Sequence, residues 1–301
     1  MRPGVFRLTG GDPNHGKVVW DPAKSLWING CLAAWLAFAP FYTTTGALVV
    51  FFVLTYLTLL LGHSVGMHRR LIHRTFECSA RLDGFLQYMG CLVGLAGPLG
   101  VIRVHDVRDW AQREPACHPF FSHRIGLVRD AFWNLNCSFE FDDPPIMKFE
   151  EPTNNNGWYR WLEDTWMLQQ LPVAIVLYWF GGWPWVVWGI FARIFVSNLG
   201  HWVVTFYTHN PGSGTWSVPA AGVQASNLKG FGVLSMGECW HNNHHAFPES
   251  ARIGLYEGQL DPGWFVIQGL ERLGLVWNVG LPRLDESRGD LEFLGLDGKL
   301  G

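Results

Sequence analysis

SLWINGCLAAWLAFAPFYTTTGALVVFFVLTYLTLLLG, residues 25–62, contains no Asp, Glu, Lys or Arg. A helix needs about 20 apolar residues to cross a bilayer core, so this run has room for two. Pro40 and Gly46 bracket a short uncharged turn between them. A second uncharged run covers Thr165 to Ala192, broken by GGWPW (181–185), and continues past Arg193 through apolar residues to about Tyr207. Together the runs predict four transmembrane helices in two hairpins, at about 26–41, 45–62, 166–181 and 184–204.

The remaining composition agrees with a membrane protein that has substantial polar parts. Charged residues are 16% of the 301, against about 25% in an average soluble protein. Aromatics reach 15%, with 17 Trp, yet the mean hydropathy is only +0.10. A soluble all-helical protein is the competing class, but core helices rarely stay uncharged through two consecutive elements. The net charge of −3 and the lack of a basic, aromatic-interleaved cluster argue against a nucleic-acid partner. Six cysteines form no CxxC pair, which argues against a disulfide framework or a zinc knuckle.

Both hairpin tips are uncharged, and the 22 Lys and Arg lie on the other side or at its boundary. By the positive-inside rule that side is cytoplasmic and holds both termini. The domain plan is therefore a polar N-terminal segment (1–25), a membrane domain (26–281) with a helical cap from 63–164 and 205–281, and a flexible tail (282–301). The N-terminal MRPGVFRLTGGDPNHGK lacks the apolar stretch of a signal peptide. The Gly-rich segment 81–104 reads as a helix or re-entrant piece along the membrane surface, not as a fifth span.

Ten of the 12 histidines fall at or beyond the cytoplasmic ends of these spans: His63, His68 and His73; then His105, His118 and His123; then His201; then His241, His244 and His245. In HNNHH the i, i+3, i+4 spacing lets all three imidazoles converge on one site. His105 and Asp109 share a helical face in the same way. His68 and His73 diverge by about 140° on an ideal α-helix and would reach different metals, or lie where the helix ends. Neutral imidazole is a good ligand for iron, zinc and copper.

HRRLIH (68–73) followed by RTF, GECWHNNHHAFP (237–248) and the placement of His201 resemble the fatty-acid desaturase superfamily, in particular its acyl-CoA branch. The resemblance covers roughly 26–280. It implies four transmembrane helices beneath a cytosolic cap holding two non-haem irons, O2 as co-substrate, and removal of two hydrogens from a fatty acyl chain. It also implies an apolar tunnel for that chain and a separate ferredoxin- or cytochrome-type electron donor.

One box departs from the pattern. Where the superfamily has HxxHH, this chain reads His105-Asp106-Val107-Arg108-Asp109. Arg108 cannot bind metal, whereas Asp109 can. Three readings stay open: Asp109 substitutes for a histidine with His118 or His123 restoring the count, one iron site is altered or labile, or the site is inactive. The expected metal residues are thus His68, His73, His105, Asp109, His123, His201, His241, His244 and His245. His63, His118, Asp106, Arg108, Asn198, Glu238 and Asn242 stand as additional or supporting candidates. A mixed carboxylate–histidine site would suit a lipid or terpenoid hydroxylase, and a metal-binding membrane protein without catalysis is the reading from another class.

Overall fold

The computed structural model describes residues 6–283 and 289–299. Residues 1–5 of the expected N-terminal segment, and 284–288, 300 and 301 of the expected tail, lie outside the described residues. Three helices among those described are long and apolar enough to cross a membrane: Pro22–Tyr42, Thr45–Ile72 and Gln170–Thr208.

The first starts where Asp21 Oδ1 accepts the Lys24 N–H (3.0 Å), with Pro22 at the first helical position, where its missing N–H costs nothing. It ends at Tyr42, and Thr44 Oγ1 then accepts the Ala47 N–H (3.2 Å) to cap the second helix. The third helix is interrupted at Gly182, whose φ of 65° and ψ of −159° suit glycine alone. Leu177 before this break touches Gly189 after it.

The second helix changes character along its length. Thr45–Leu57 is α-helical, but Thr58–Ile72 is a π-helix, whose hydrogen bonds run five residues back. Glycines let the helix Ala80–Leu92 lie almost backbone-on-backbone against it: a Cβ at Gly62 would sit 2.4 Å from the Met89 carbonyl, and one at Gly66 2.8 Å from Leu86 O. Gly90 answers from the other side, where an added Cβ would sit 2.6 Å from the Met67 side chain. This is the small-xxx-small contact by which helices meet closely in membranes.

Arg193, the lone cation within the third apolar helix, is 1% exposed. Its guanidinium donates to the carbonyls of Leu92 and Gly189 and to Gln170 Oε1, so the charge is solvated by oxygens on three segments. Gln170 in turn donates to Cys91 O (3.1 Å), tying the third helix to the 80–92 helix.

Segment 81–104 forms that helix, a glycine break with Gly94 at φ 78°, and a second helix, Pro98–Arg113, which carries the altered box. The main polar-side core packs Met67, Leu71, Ile102 and Leu162 between these elements.

An entirely helical chain was the expectation, and here the structure differs. Among the described residues, four antiparallel two-stranded pairings join distant segments: Phe6–Thr9 with Ile146–Phe149, Gly16–Trp20 with Cys137–Phe141, Glu77–Cys78 with Val276–Trp277, and Ser213–Ser217 with Glu292–Lys299. Each strand's partner lies too far away in sequence for a local pattern to announce the pairing, and Glu77–Cys78 and Val276–Trp277 are too short to show alternation at all. The last pairing also gives the described part of the tail a strand, where composition alone suggested loose order.

The close glycine contact yields a paired prediction. Gly62→Ala should destabilise the protein by about 1–3 kcal/mol through overpacking. Gly30→Ala, on the first helix with nothing within 4 Å of its new Cβ, should not. Thermal unfolding of both variants in the same detergent is the measurement, and equal midpoints would contradict the close-packed seam.

Candidate metal centre

The π-helix decides where the first histidines point. The His73 N–H bonds to His68 O (3.1 Å), so the two residues stack one turn apart on one face instead of diverging as on an α-helix. His105, on the 98–113 helix, and His244, near the C-terminus, complete the group. One nitrogen of each of His68, His73, His105 and His244 lies within 4.8 Å of the others. His68 Nε2 and His244 Nε2 are 3.1 Å apart, and His73 Nε2 and His105 Nε2 3.3 Å.

The HNNHH stretch does not converge on one site. His241–Ala246 is a single short helix, on which i and i+4 lie about 40° apart and i+3 and i+4 about 100°. His241 and His245 therefore face the same way, with Nε2 atoms 3.1 Å apart, while His244 turns into the first group. The third member of the second group is His209, at the end of the third apolar helix. Its Nδ1 lies 2.8 Å from the Thr205 carbonyl, so an Nδ1–H donates there and leaves Nε2, buried and without a hydrogen-bond partner, as the free donor atom.

Sequence reasoning did not single out His209. It stands alone in FYTHNPG, outside any box spacing. Its one available signal was its place at the polar end of a long apolar helix, beside the other histidines.

Behind the four-nitrogen group lies a buried charge network. His68 Nδ1 stands 2.6 Å from Glu238 Oε2, whose other oxygen accepts from Ser64 Oγ (2.5 Å). Arg69, 1% exposed, donates to Asp261 Oδ1 (2.8 Å) and Ala251 O (3.0 Å), with Glu238 Oε1 at 3.4 Å. Asp261 also accepts the N–H groups of Ile253, Gly254 and Trp264. Asp106 holds His105 Nδ1 at 3.0 Å. Carboxylates and carbonyls on the far ring nitrogen fix tautomer and ring orientation, as around metal-binding histidines generally.

The electrostatics favour neutral donors. Burial lowers the pKa of His245 to about 4, against the opposing pull of Asp109, and lowers that of His241 and His244 well below the usual histidine range. His105 is the exception: burial pulls its pKa down, but Asp109 and Asp106 outweigh it and raise the net value. Burial raises the Glu238 pKa, yet His68 and Arg69 more than offset this and the carboxyl ionises below its ordinary range.

The other expected residues lie outside the converging atoms. Asp109 joins neither set, though its carboxylate interacts electrostatically with His105, His245, Arg113 and His73. His201 and His63 pair with ring centroids 4.8 Å apart, and His63 lies 6.4 Å from His68. His123 adopts a left-handed φ of 55° and contacts Asp130 (3.0 Å), which also takes the Trp202 indole N–H (2.7 Å). The His123 ring is 5.6 Å from that of His209. His118 accepts the Phe120 N–H and packs on Trp133 and Phe139. Asn198 donates to Gly94 O and Ile194 O, and Asn242 bonds the backbone at Thr215, Trp216 and Ala225. Both asparagines are structural ties.

Donors about 2.0–2.1 Å from one metal lie about 3 Å from each other. The 3.1 and 3.3 Å nitrogen separations and the free His209 Nε2 meet that requirement. All-imidazole groups of four and three fit iron, zinc or copper better than calcium or magnesium.

The chain matches no protein-family model. It is 33% identical over 255 residues to the sn-1 stearoyl-lipid 9-desaturase of Anabaena variabilis, covering 83% of this chain and 90% of that protein. Identity to the sn-2 palmitoyl-lipid 9-desaturase of Nostoc sp. (strain 36) is 30% over 258 residues, 84% of this chain and 90% of that one. Against the icosanoyl-CoA 5-desaturase of Limnanthes douglasii it is 30% over 278 residues, 87% and 74% respectively.

Removing the support behind a donor tests the geometry without removing the donor. Glu238→Gln should weaken metal retention by about 10–100-fold, read as metal content after dialysis against graded chelator. His201→Ala should leave that content at the parental value, and a loss there would contradict its position outside both groups.

Proposed function

The chain belongs to the fatty-acid desaturase superfamily, and from that membership and its two histidine groups we propose that it desaturates fatty acyl chains at a pair of non-haem irons. The convergence of seven imidazoles into groups of four and three is the observation that carries this reading. His68, His73, His105 and His244 would hold one iron, and His209, His241 and His245 the other. The irons, when bound, supply the O2 activation that hydrogen removal from an unactivated C–H bond demands and that side-chain acids and bases lack. The overall balance takes two hydrogens from adjacent acyl carbons and, with two electrons and two protons, reduces O2 to two waters.

The protein's own part is orientation and exclusion. Glu238, Asp106 and the Thr205 carbonyl keep the far nitrogens engaged, so the inner nitrogens stay directed at the metal positions. Buried, neutral imidazoles keep competing protons off those atoms. The electrons come from a separate ferredoxin- or cytochrome-type donor, since no cysteine spacing here suits an iron–sulfur cluster. The substrate is a fatty acyl chain carried on CoA or on a lipid.

The proposed topology has four crossings. At 1.5 Å per residue, the third apolar helix would be nearly twice as long as a bilayer core is thick, about 30 Å. The non-helical Gly182 and the contact of Leu177 with Gly189 support two crossings folded back on each other there. The charge distribution supports a cytoplasmic cap, with both termini and the histidine groups on that side.

A second reading, lipid hydroxylation by the same centre, is favoured by one observation: the Arg108–Asp109 pair where the superfamily places two histidines. Mass spectrometry of lipids from cells with and without the gene separates the two. Desaturation appears as a loss of two mass units and hydroxylation as a gain of sixteen, and His244→Ala should abolish either product. Unchanged lipids in cells making the intact protein with its electron donor would count against both.

A further inference from the structure

The group of His209, His241 and His245 supplies three imidazoles where the other supplies four. His118 and His123 are the residues that could make up the count lowered by Arg108 and Asp109 in the altered box. Their surroundings separate them.

His118 is committed to local structure. Its Nδ1 accepts the Phe120 N–H (3.2 Å), its ring packs on Trp133 and Phe139, and it is only half-buried. His123 has no exposed surface, and its Nδ1 lies 3.0 and 3.1 Å from the two Asp130 oxygens. Asp130 is equally buried and is held by the Trp202 indole N–H (2.7 Å) and by Asn134 Nδ2 (3.2 Å). A carboxylate on the far nitrogen is the support given to metal-binding imidazoles, and here His68 and His105 have it too.

With Nδ1–H donating to Asp130, His123 Nε2 is left as an acceptor. It is buried and has no hydrogen-bond partner among the described residues. His209 Nε2 is in the same condition, and the two rings are 5.6 Å apart, inclined at 31°. His209 and His245, which share a group, are 5.4 Å apart. Two acceptor nitrogens on neighbouring rings cannot satisfy each other, and leaving both unpaired in a dry interior is costly. A cation that takes a lone pair from each resolves this.

The backbone keeps His123 in place. Asn210, the residue after His209, donates from Nδ2 to His123 O (3.1 Å). His123 itself takes a φ of 55°, uncommon outside glycine.

We propose that His123 is the fourth imidazole of the second group, binding metal through Nε2 with Asp130 behind it. This rests on reading both groups as metal sites. His123 does not join the set whose donor atoms all lie within 4.8 Å of one another, so ligation requires its ring to swing inward beside His209. The connection between the helices Pro98–Arg113 and Leu127–Asn136 thereby supplies a donor that the altered box has given up.

The test is Fe(II) binding by the full chain, purified in detergent, stripped of metal and titrated anaerobically against a competing chelator. His123→Asn suits the left-handed backbone and is too short to reach the metal. It should weaken one of two equivalents by about tenfold or more and leave the other unchanged. Asp130→Asn keeps the imidazole but removes its support, and should weaken the same equivalent by about 10–100-fold. His118→Ala should leave both at parental affinity. Free imidazole should tighten the weakened equivalent in His123→Gly. The visible absorption of the Co(II)-loaded protein reports the donor set; it should shift in His123→Asn, whereas a role in packing alone would leave it fixed.

His209→Ala should remove the equivalent that His123→Asn weakens, and His244→Ala the other. Parental affinity and Co(II) absorption in His123→Asn, with an equivalent still lost in His209→Ala, would overturn His123 as a ligand. Absence of bound iron in the parent, or iron unaltered by both His209→Ala and His244→Ala, would instead overturn the two-metal reading beneath it.

Discussion

Everything at the centre depends on one buried cation. Arg69 sits next to His68 on the π-helix and reaches Asp261, Ala251 and Glu238, all more than a hundred and fifty residues away in sequence. It pins the C-terminal loops to the helix that presents the first two histidines. Glu238, held by the same guanidinium, then orients His68. An uncompensated buried charge is costly, so each partner is needed for the others to stay ionised and in place. Geometry at the nitrogen groups is thereby coupled to folding of the whole polar region, not to any one box.

Physical chemistry explains which features could be read from the chain. Two uncharged runs announce membrane helices because a bilayer tolerates no unpaired charge, and length alone measures how many fit. Arg193 looks like an exception, yet carbonyl oxygens from neighbouring segments solvate it inside the bundle. The histidine boxes were legible as chemistry, because that many imidazoles rarely gather without a metal to hold.

How the histidines divide was not legible. An α-helical period places His68 and His73 apart, whereas a π-helix superimposes them, and the glycines that permit its tight seam give no sign of hydrogen-bond register. The i, i+3, i+4 spacing of His241, His244 and His245 allows convergence, but a 100° spread equally allows division between neighbours. His209 needed three dimensions to find. Its relevance comes from which residues approach it, and its local sequence carries no trace of them.

The short helix His241–Ala246 has a mechanical consequence. Because one turn of backbone supplies donors to both nitrogen groups, it serves as a rigid ruler between them. Turning it to improve one group necessarily spoils the other, so the spacing of the two positions cannot drift independently of either. Its asparagines clamp the ruler at both sides, Asn242 to the Thr215–Trp216 strand and Asn243 to Ile253 O and Gln259. Substitutions that alter what sits in one position are thus free to change its charge and affinity, while the distance across the centre stays constant.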